Sequence, residues 1–207
     1  MVNKNKSFSW KSAFKAGFEE KYVNLVIDSY KEILVKNAGI KKVWENKRRN
    51  MLCSQMRSIK TNYGITFNIV TESGVSDENF DDIGRIDICC YLSELDDQYI
   101  AFECKRFLKI NSVPSYISRE YYGEGIKRFE DNIYSKNTDF GGMIAFLEEG
   151  DYCKLNKVIT TELPKYSVDK NIEDISAYYN HNYVYKTVHI RKDNNNIKLV
   201  HILLDFS

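Results

Sequence analysis

The stretch from Gly84 to Phe107, GRIDICCYLSELDDQYIAFECKRF, decides how the middle of this chain folds. It contains two apolar runs joined by SELDD, a short polar connector that predicts an antiparallel β-hairpin. Yet Asp87 lies inside the first run, and Glu103 and Lys105 lie inside the second. Burying an ionised side chain costs several kcal/mol unless the charge is paired or binds a metal ion, so these three charges need an explanation.

The spacing of the three charges predicts which faces of the strands they occupy, because successive side chains of a strand point to opposite faces. Asp87 shares a face with Arg85, and Glu103 shares a face with Lys105. If the hairpin aligns these two faces, the three charges converge. Two carboxylates beside an ammonium form a site for a hard cation such as Mg²⁺ or Mn²⁺, with the ammonium beside a water that attacks a phosphodiester. The alternative is a structural ion pair of Asp87 with Lys105, or of Glu103 with Arg85.

The rest of the chain predicts the α/β class, with helices packed around a mixed sheet. The predicted elements, in chain order, are helices over 15–36 and 41–61, a strand over 65–71, an acidic loop over 73–82, strands over 85–92 and 98–107, a helix over 115–135 with Tyr122, Ile126, Phe129 and Ile133 on its buried face, a strand over 142–147, a helix over 151–163, and a C-terminal hairpin of 184–191 with 197–206. A chain of 207 residues is long enough for one domain with a core.

Composition narrows the class of protein. The formal net charge is only +1, so the protein as a whole does not attract nucleic acid electrostatically. A local basic patch could still bind it. The five cysteines include no CxxC pair, which argues against a zinc knuckle or a disulfide framework. No stretch approaches the roughly 20 apolar residues of a membrane span, and the N-terminus lacks the apolar segment of a secretory signal. We therefore expect a cytoplasmic protein with no membrane partner.

Asp87, followed after fifteen residues by Glu103 and then by Lys105, resembles the core signature of the PD-(D/E)XK phosphodiesterases. The predicted helix before the motif, hairpin across it, and helix and strand after it are similar to the family's α-β-β-β-α-β core. The resemblance implies a restriction-endonuclease-like core, a central mixed β-sheet flanked by helices, with a C-terminal β-hairpin. The boundaries it implies are about 41–147 for the core, 15–37 for an added helix, 184–206 for the added hairpin and 1–207 for a single nuclease-like domain.

The resemblance further implies a Mg²⁺- or Mn²⁺-dependent hydrolase. Asp87 and Glu103 would hold the metal ion, and Lys105 would position the attacking water or stabilise the transition state. The family often adds an acid from the helix that precedes the sheet, and Glu45 and Glu72 are the candidates. Glu45 falls on the stripe of apolar residues that predicts the buried face of its helix, so it ranks first as a further catalytic and metal-binding residue. The alternative for Glu45 is a first-turn acid that complements the helix dipole.

Basic residues close to these elements are candidates for contacts with nucleic-acid phosphates. They are Arg106 after the motif, Lys127 and Arg128 in the next helix, and Lys47 and Arg48 in the helix that begins the core. The adjacent Arg49 belongs to the same basic run and could also contact a phosphate. The alternative for each of them is a solvated surface. Gly123 and Gly125 indicate a close approach of the sheet or of another backbone, because glycine otherwise destabilises a helix.

The predicted function is therefore a metal-dependent nuclease, first of all a DNA endonuclease of a bacterial restriction, phage-defence or mobile-element system. The alternatives are a non-catalytic binding or assembly subunit that keeps the fold, and an RNA-cleaving relative. Low net charge leaves little surface for reading a sequence, so we expect a homodimer or a partner protein that delivers the substrate. His181, His189 and His201 have no third metal ligand at suitable spacing, which favours surface or hairpin packing for them.

Overall fold

The computed structural model describes residues 10–36, 44–76, 82–92, 98–107 and 113–207. Its elements are α1 (Trp10–Lys36), α2 (Glu45–Ile59), β1 (Ile69–Ser76), β2 (Asp82–Tyr91), β3 (Tyr99–Phe107), α3 (Val113–Tyr116), a π-helix (Ile117–Ile126), α4 (Lys127–Glu130), β4 (Phe140–Leu147), α5 (Tyr152–Glu162), β5 (Glu173–Asp174), β6 (Val184–Ile190) and β7 (Asn196–Asp205). Three predicted segments lie wholly or partly outside the described residues: the start of the second helix at 41–43, the middle of the acidic loop at 77–81 and the connector at 93–97.

A seven-stranded mixed sheet forms the centre of the described structure, in the order β1-β2-β3-β4-β7-β6-β5. The first three strands form an antiparallel meander, β4 runs parallel to both β3 and β7, and β6 runs antiparallel to β5 and β7. The predicted α/β class, the mixed sheet and the hairpin pairing of β2 with β3 are therefore confirmed. Among the described helices, none has both the length and the apolar character needed to cross a membrane.

Helices cover both faces of the sheet and enclose two hydrophobic cores. On one face, α1 and α2 bury Leu25 and Leu52 against Phe102 of β3. On the other face, the π-helix and α5 bury Tyr121 and Leu155 in the second core. Because β3 and β4 are inner strands with both faces covered, a charged side chain on β3 lies in the interior of the molecule rather than at its surface.

The first strand lies further along the chain than predicted. A 3₁₀ turn, Lys60–Tyr63, follows α2 and ends at Gly64, whose φ of 67° favours glycine. β1 then spans Ile69–Ser76 rather than 65–71, so the first part of the predicted acidic loop at 73–82 is wrong and forms strand instead. The polar residues of β1 are tolerated because it is an edge strand, and every second residue of its outer half is exposed.

The segment after β3 is helical as predicted, but it is not one α-helix. Ile117–Ile126 forms a π-helix between the short α3 and α4. Tyr121 and Ile126, both fully buried, stand five residues apart, which is the spacing of a π-helical turn. The predicted buried face is confirmed at Ile126 and Phe129, which are fully buried, whereas Tyr122 and Ile133 are half-buried at the edge of the second core. The helix itself ends before Ile133.

Candidate active site

The two hairpin strands separate where the charged residues lie. β2 and β3 pair up to Ile88 and Phe102, and one further step would place Asp87 opposite Glu103. The ladder ends there, and Asp87 Oδ2 instead accepts a hydrogen bond from the backbone N–H of Cys104 at 2.8 Å. We call the point where β2 and β3 separate the fork. Asp87 lies at the fork, and the hydrogen bond from Cys104 holds its side chain against β3.

The predicted alternation of faces along β2 holds from Ile88 to Cys90 and breaks at Asp87. Ile88 and Cys90 lie in the core beneath α1 and α2, and Cys89 lies in the opposite core. Strict alternation would place Ile86 with Ile88, but Ile86 packs in the same core as Cys89. The break coincides with the end of the β2–β3 ladder, so the fork is a change in the path of β2 as well as in its pairing.

Glu103 is a buried acid that uses only part of its hydrogen-bonding capacity. Its Oε1 accepts a hydrogen bond from Lys105 Nζ at 2.8 Å, whereas its Oε2 is buried without a hydrogen-bond partner among the described residues. The side chain is 7% exposed. Burial raises the pKa of Glu103 to about 7, the Lys105 ammonium opposes this rise, and the charge of Asp87 adds to it. A cation at Oε2 would relieve both the missing contact and the unfavourable burial.

Glu45, the first residue of α2, lies against β3 beside the same charges. Burial raises the pKa of Glu45, the charge of Asp87 raises it further, and Lys105 and Arg49 oppose the rise. The backbone N–H of Arg106 lies close enough to the Glu45 carboxyl group to lower this pKa as well. The helix that precedes the sheet therefore brings Glu45 into electrostatic contact with the residues of the fork.

Arg49 joins two acids of the cluster, whereas the sequence predicted it as a possible phosphate contact and not as a partner of these acids. Its Nη1 donates to Asp87 Oδ1 at 2.7 Å, and its Nη2 donates to Glu72 Oε1 at 2.8 Å. Glu72 has a φ of 55°, which is uncommon for a residue with a β-carbon, and it reaches the cluster through Arg49. The sequence does carry a signal for Arg49, because it stands four residues after Glu45 on the same face of α2.

The residues of the cluster fit a divalent cation. Glu45, Asp87 and Glu103 supply carboxylate oxygens, the donors that Mg²⁺ prefers, and the buried Oε2 of Glu103 lacks a partner within the described ranges. Arg49 now holds Asp87, and Lys105 holds Glu103, so neither of the two predicted ion pairs forms. In the part of the chain that the structure describes, no three His, Cys, Asp or Glu side chains already form a metal-binding group. Binding of a cation here would therefore require the ion pairs to rearrange.

Two of the basic candidates form an interior ion-pair cluster. Arg48 is 1% exposed, and its Nε donates to Glu148 Oε1 at 2.9 Å. Arg106 Nη2 lies 2.5 Å from Glu148 Oε2, and the Arg106 guanidinium lies over the Trp44 ring, 5.4 Å from its centroid. The Arg48 guanidinium stacks on Phe206, 4.4 Å from the ring centroid. Arg48 is therefore a core residue, and its burial keeps it away from the phosphates it was predicted to contact.

Three further basic candidates differ in their distance from the fork. Arg128 Nη1 donates to the Tyr134 hydroxyl at 3.1 Å, and its positive charge opposes the rise in the pKa of Glu103. Lys127 pairs with carboxylates three and four residues further along the chain. Lys47 is exposed on α2. Among these three, Arg128 therefore has an electrostatic link to the cluster.

Tyr116 lies beside the cluster and was not predicted as a site residue. Burial raises the pKa of Tyr116 to about 12, the charge of Glu45 adds to this rise, and the Lys105 ammonium opposes it. The Tyr116 ring meets Phe107 edge to face, with 5.0 Å between ring centroids. The sequence carries no signal for this tyrosine, which is one of fifteen and lies outside the motif.

Gly125 brings the π-helix close to the side chain of Lys105. A β-carbon on Gly125 would lie 2.6 Å from Met143 Cε and 3.5 Å from Lys105 Cε. The predicted close approach to the sheet is therefore confirmed at Gly125. At Gly123 the nearest such contact is the Ser118 carbonyl oxygen at 3.4 Å. A π-helical turn facing the charged residues is notable because such turns occur frequently at functional sites.

Gly125→Ala is expected to be less stable than Gly123→Ala by about 1 kcal/mol, because its added methyl group would displace the buried end of the Met143 side chain and so offset the gain in helix propensity. Urea denaturation monitored by circular dichroism measures the difference. Gly123→Ala is the matched control, and we expect it to stabilise the protein by up to about 1 kcal/mol, because alanine favours a helix over glycine and the added methyl group meets only an ordinary contact there. Equal stability of the two variants would contradict the close packing at Gly125.

Two of the three histidines belong to a buried chain of hydrogen bonds. His201 Nδ1 lies 3.1 Å from the Tyr121 hydroxyl, and His201 Nε2 lies 2.7 Å from Thr187 Oγ1. Thr187 Oγ1 also lies 2.8 Å from His189 Nε2, and His189 Nδ1 lies 3.1 Å from Glu130 Oε1. Both histidines are buried, so hairpin packing rather than a surface position accounts for them.

The His201 site predicts a specific loss of stability in acid. Burial and, to a smaller extent, the neighbouring His189 lower the pKa of His201 to about 3. Unfolded histidine titrates near a pKa of about 6.5, so the unfolded chain binds the extra proton between pH 6.5 and 3. This contribution is complete above pH 6.5 and is lost as the pH falls through that window. The free energy of unfolding should therefore drop more between pH 7 and 4.5 in the wild type than in His201→Gln, and equal drops would exclude this role.

Comparisons of the chain with protein-family models, with curated proteins and with solved structures found no match. The functional inference therefore depends on the residues of the fork, their burial and their contacts. The relation to the PD-(D/E)XK phosphodiesterases stays a resemblance in the motif and in the order of elements.

Proposed function

We propose that this protein is a Mg²⁺- or Mn²⁺-dependent nuclease with a restriction-endonuclease-like fold, and that it hydrolyses phosphodiester bonds of DNA. The observation that carries the proposal is the buried carboxylate of Glu103 at the fork beside Asp87. One of its oxygens is bound to Lys105, and the other has no hydrogen-bond partner in the part of the chain that the structure describes. A structural ion pair leaves that oxygen unsatisfied, whereas a bound cation would use it.

The order of elements supports the same family. α2 precedes an antiparallel meander of three strands, a helical segment follows, and β4 returns parallel to β3. This is the α-β-β-β-α-β order that the motif implies. The candidate residues come from the start of α2, from β2 and from β3, and their charges influence one another.

Each candidate residue has a distinct proposed role. Asp87, Glu103 and Glu45 would hold the metal ion, which when bound supplies Lewis-acid stabilisation and lowers the pKa of coordinated water. Burial lowers the pKa of Lys105, but Glu103, Asp87 and Glu45 outweigh burial and raise it, so Lys105 stays charged at neutral pH. A buried ammonium at this position would orient the attacking water and balance the negative charge that develops on the phosphate.

The surface around the fork suggests that the protein does not bind its substrate alone. Arg48 is buried, and Arg106 is 21% exposed and paired with Glu148, so neither guanidinium is freely available to a phosphate at the surface. We therefore propose that a homodimer or a partner protein completes the nucleic-acid surface, as in a bacterial restriction, phage-defence or mobile-element system.

A second candidate function is that of a non-catalytic binding or assembly subunit with the same fold. It is favoured by the ion pairs of Arg49 with Asp87 and of Lys105 with Glu103, which neutralise both acids without a metal ion. The unsatisfied Glu103 oxygen favours the nuclease instead.

The test of the proposed function is a cleavage assay with four substrates: supercoiled plasmid, linear duplex DNA, single-stranded DNA and RNA. Each is incubated with the protein and Mg²⁺, with Mn²⁺, or with EDTA. We expect DNA cleavage that needs the metal ion and is lost in Asp87→Asn. Cleavage of RNA without DNA would overturn the assigned substrate, and no cleavage of any substrate would favour the non-catalytic subunit.

A further inference from the structure

Arg49 binds Asp87, an acid that the proposed metal site needs as a ligand. Its side chain is 6% exposed, and its guanidinium donates to both Asp87 and Glu72. Asp87 uses both carboxylate oxygens at once, because Oδ1 binds Arg49 and Oδ2 binds the backbone N–H of Cys104. Asp87 thus differs from Glu103, whose Oε2 has no hydrogen-bond partner among the residues that the structure describes.

The contact with Asp87 stabilises the positive charge of the buried Arg49 side chain. Burial of the guanidinium lowers the pKa of Arg49, but the hydrogen bonds and charges of Asp87 and Glu72 outweigh burial and raise it. Arg49 therefore remains a fixed positive charge wherever it lies. A divalent cation bound at Asp87 would stand next to this guanidinium, and two like charges at such a distance repel each other.

We propose that Arg49 is a positioning residue that competes with the metal ion for Asp87 and so sets the metal affinity of the site. In the metal-free protein Arg49 takes the place of the cation and keeps Asp87 oriented toward β3. Metal binding then requires Arg49 to leave Asp87, and Glu72, which is half exposed at the rim of the cluster, is the acid that retains it. This inference rests on the proposed function, because it assumes that Asp87 is a metal ligand.

Isothermal titration of the purified full chain with MnCl₂ tests the inference without any nucleic acid. We expect Arg49→Gln to bind Mn²⁺ at least about tenfold more tightly than the wild type, a coupling of the usual size between two ligands of one site. The matched control is Lys36→Gln, which removes an exposed positive charge next to α2 but none at Asp87, and which should bind Mn²⁺ as the wild type does.

A second variant protects the test against loss of folding in Arg49→Gln. Arg49→Lys keeps the positive charge but has a single ammonium in place of the guanidinium that joins Asp87 to Glu72, so its Mn²⁺ affinity should lie between those of the wild type and Arg49→Gln. Thermal unfolding with and without MnCl₂ provides an independent measurement, and the stabilisation by Mn²⁺ should be largest in Arg49→Gln.

The outcomes separate this inference from the proposed function. If Asp87→Asn abolishes Mn²⁺ binding while both Arg49 variants bind as the wild type does, the metal site stands and competition by Arg49 is wrong. If Arg49→Gln and Lys36→Gln tighten binding equally, general electrostatics rather than the Asp87 contact is responsible, and the inference is again wrong. If no variant binds Mn²⁺, the proposed metal site and the inference both fail.

Discussion

Lys105→Met is expected to reduce metal-dependent cleavage by about 10²- to 10³-fold, the usual effect of removing one preorganised group that stabilises transition-state charge. The ammonium of Lys105 lies 2.8 Å from Glu103 and is mostly buried, so solvent cannot replace it. Methionine keeps an unbranched apolar stem of similar length next to Gly125. Initial rates of plasmid cleavage in Mg²⁺ measure the loss.

Lys154→Met is the matched control for this prediction, because Lys154 is exposed on α5 and is not a residue of the candidate site. A second readout separates catalysis from folding. The Lys105 ammonium opposes the rise in the pKa of Glu103, so its removal should move the pH profile of residual cleavage to higher pH. Undiminished cleavage by Lys105→Met, with an unchanged pH profile, would remove Lys105 from the mechanism.

Glu148→Ala is expected to destabilise the protein by about 3–5 kcal/mol, the range for breaking a buried ion pair by removing one partner. The Glu148 carboxylate is almost fully buried and pairs with both Arg48 and Arg106. Its loss therefore leaves positive charge in the interior without a partner carboxylate. Guanidinium chloride denaturation monitored by tryptophan fluorescence measures the change.

Glu149→Ala removes the adjacent, exposed acid and should change the free energy of unfolding by no more than about 0.5 kcal/mol. The double variant Arg48→Met/Glu148→Leu should recover much of the stability lost in Glu148→Ala, because it removes most of the uncompensated charge along with the pair. A Glu148→Ala variant as stable as Glu149→Ala would show that the interior cluster does not support the fold.

The hairpin and the inward face of Glu45 were predictable because they depend on local rules, whereas the break in alternation at Asp87 was not. Alternating apolar residues and a short polar connector predict two paired strands, and the pairing is antiparallel. The stripe on α2 predicts that Glu45 faces inward, and the Arg106 backbone N–H meets it there. Both predictions need only the period of the element and the side on which the core lies.

The parts that were not predicted depend on partners distant in sequence. Arg48 is buried because Glu148, one hundred residues away, offers it a carboxylate, and no local pattern indicates that pairing. β1 begins four residues later than predicted because its pairing with β2 decides where it begins. The polar residues within β1 gave no local indication of a strand. The π-helix follows from the packing of Tyr121 and Ile126 against the sheet, which an α-helical period does not anticipate.

The most direct measurement of the central claim is the affinity of Mn²⁺ for the wild type and for Glu103→Gln, by isothermal titration at pH 8 and pH 6. Because the pKa of Glu103 is raised to about 7, its carboxylate is ionised and able to bind a cation at pH 8 but largely protonated at pH 6. We predict that the wild type binds Mn²⁺ more tightly at pH 8 than at pH 6 and that Glu103→Gln does not bind it at either pH. Unchanged Mn²⁺ binding in Glu103→Gln, or its absence in the wild type at pH 8, would contradict a metal-dependent nuclease site at this fork.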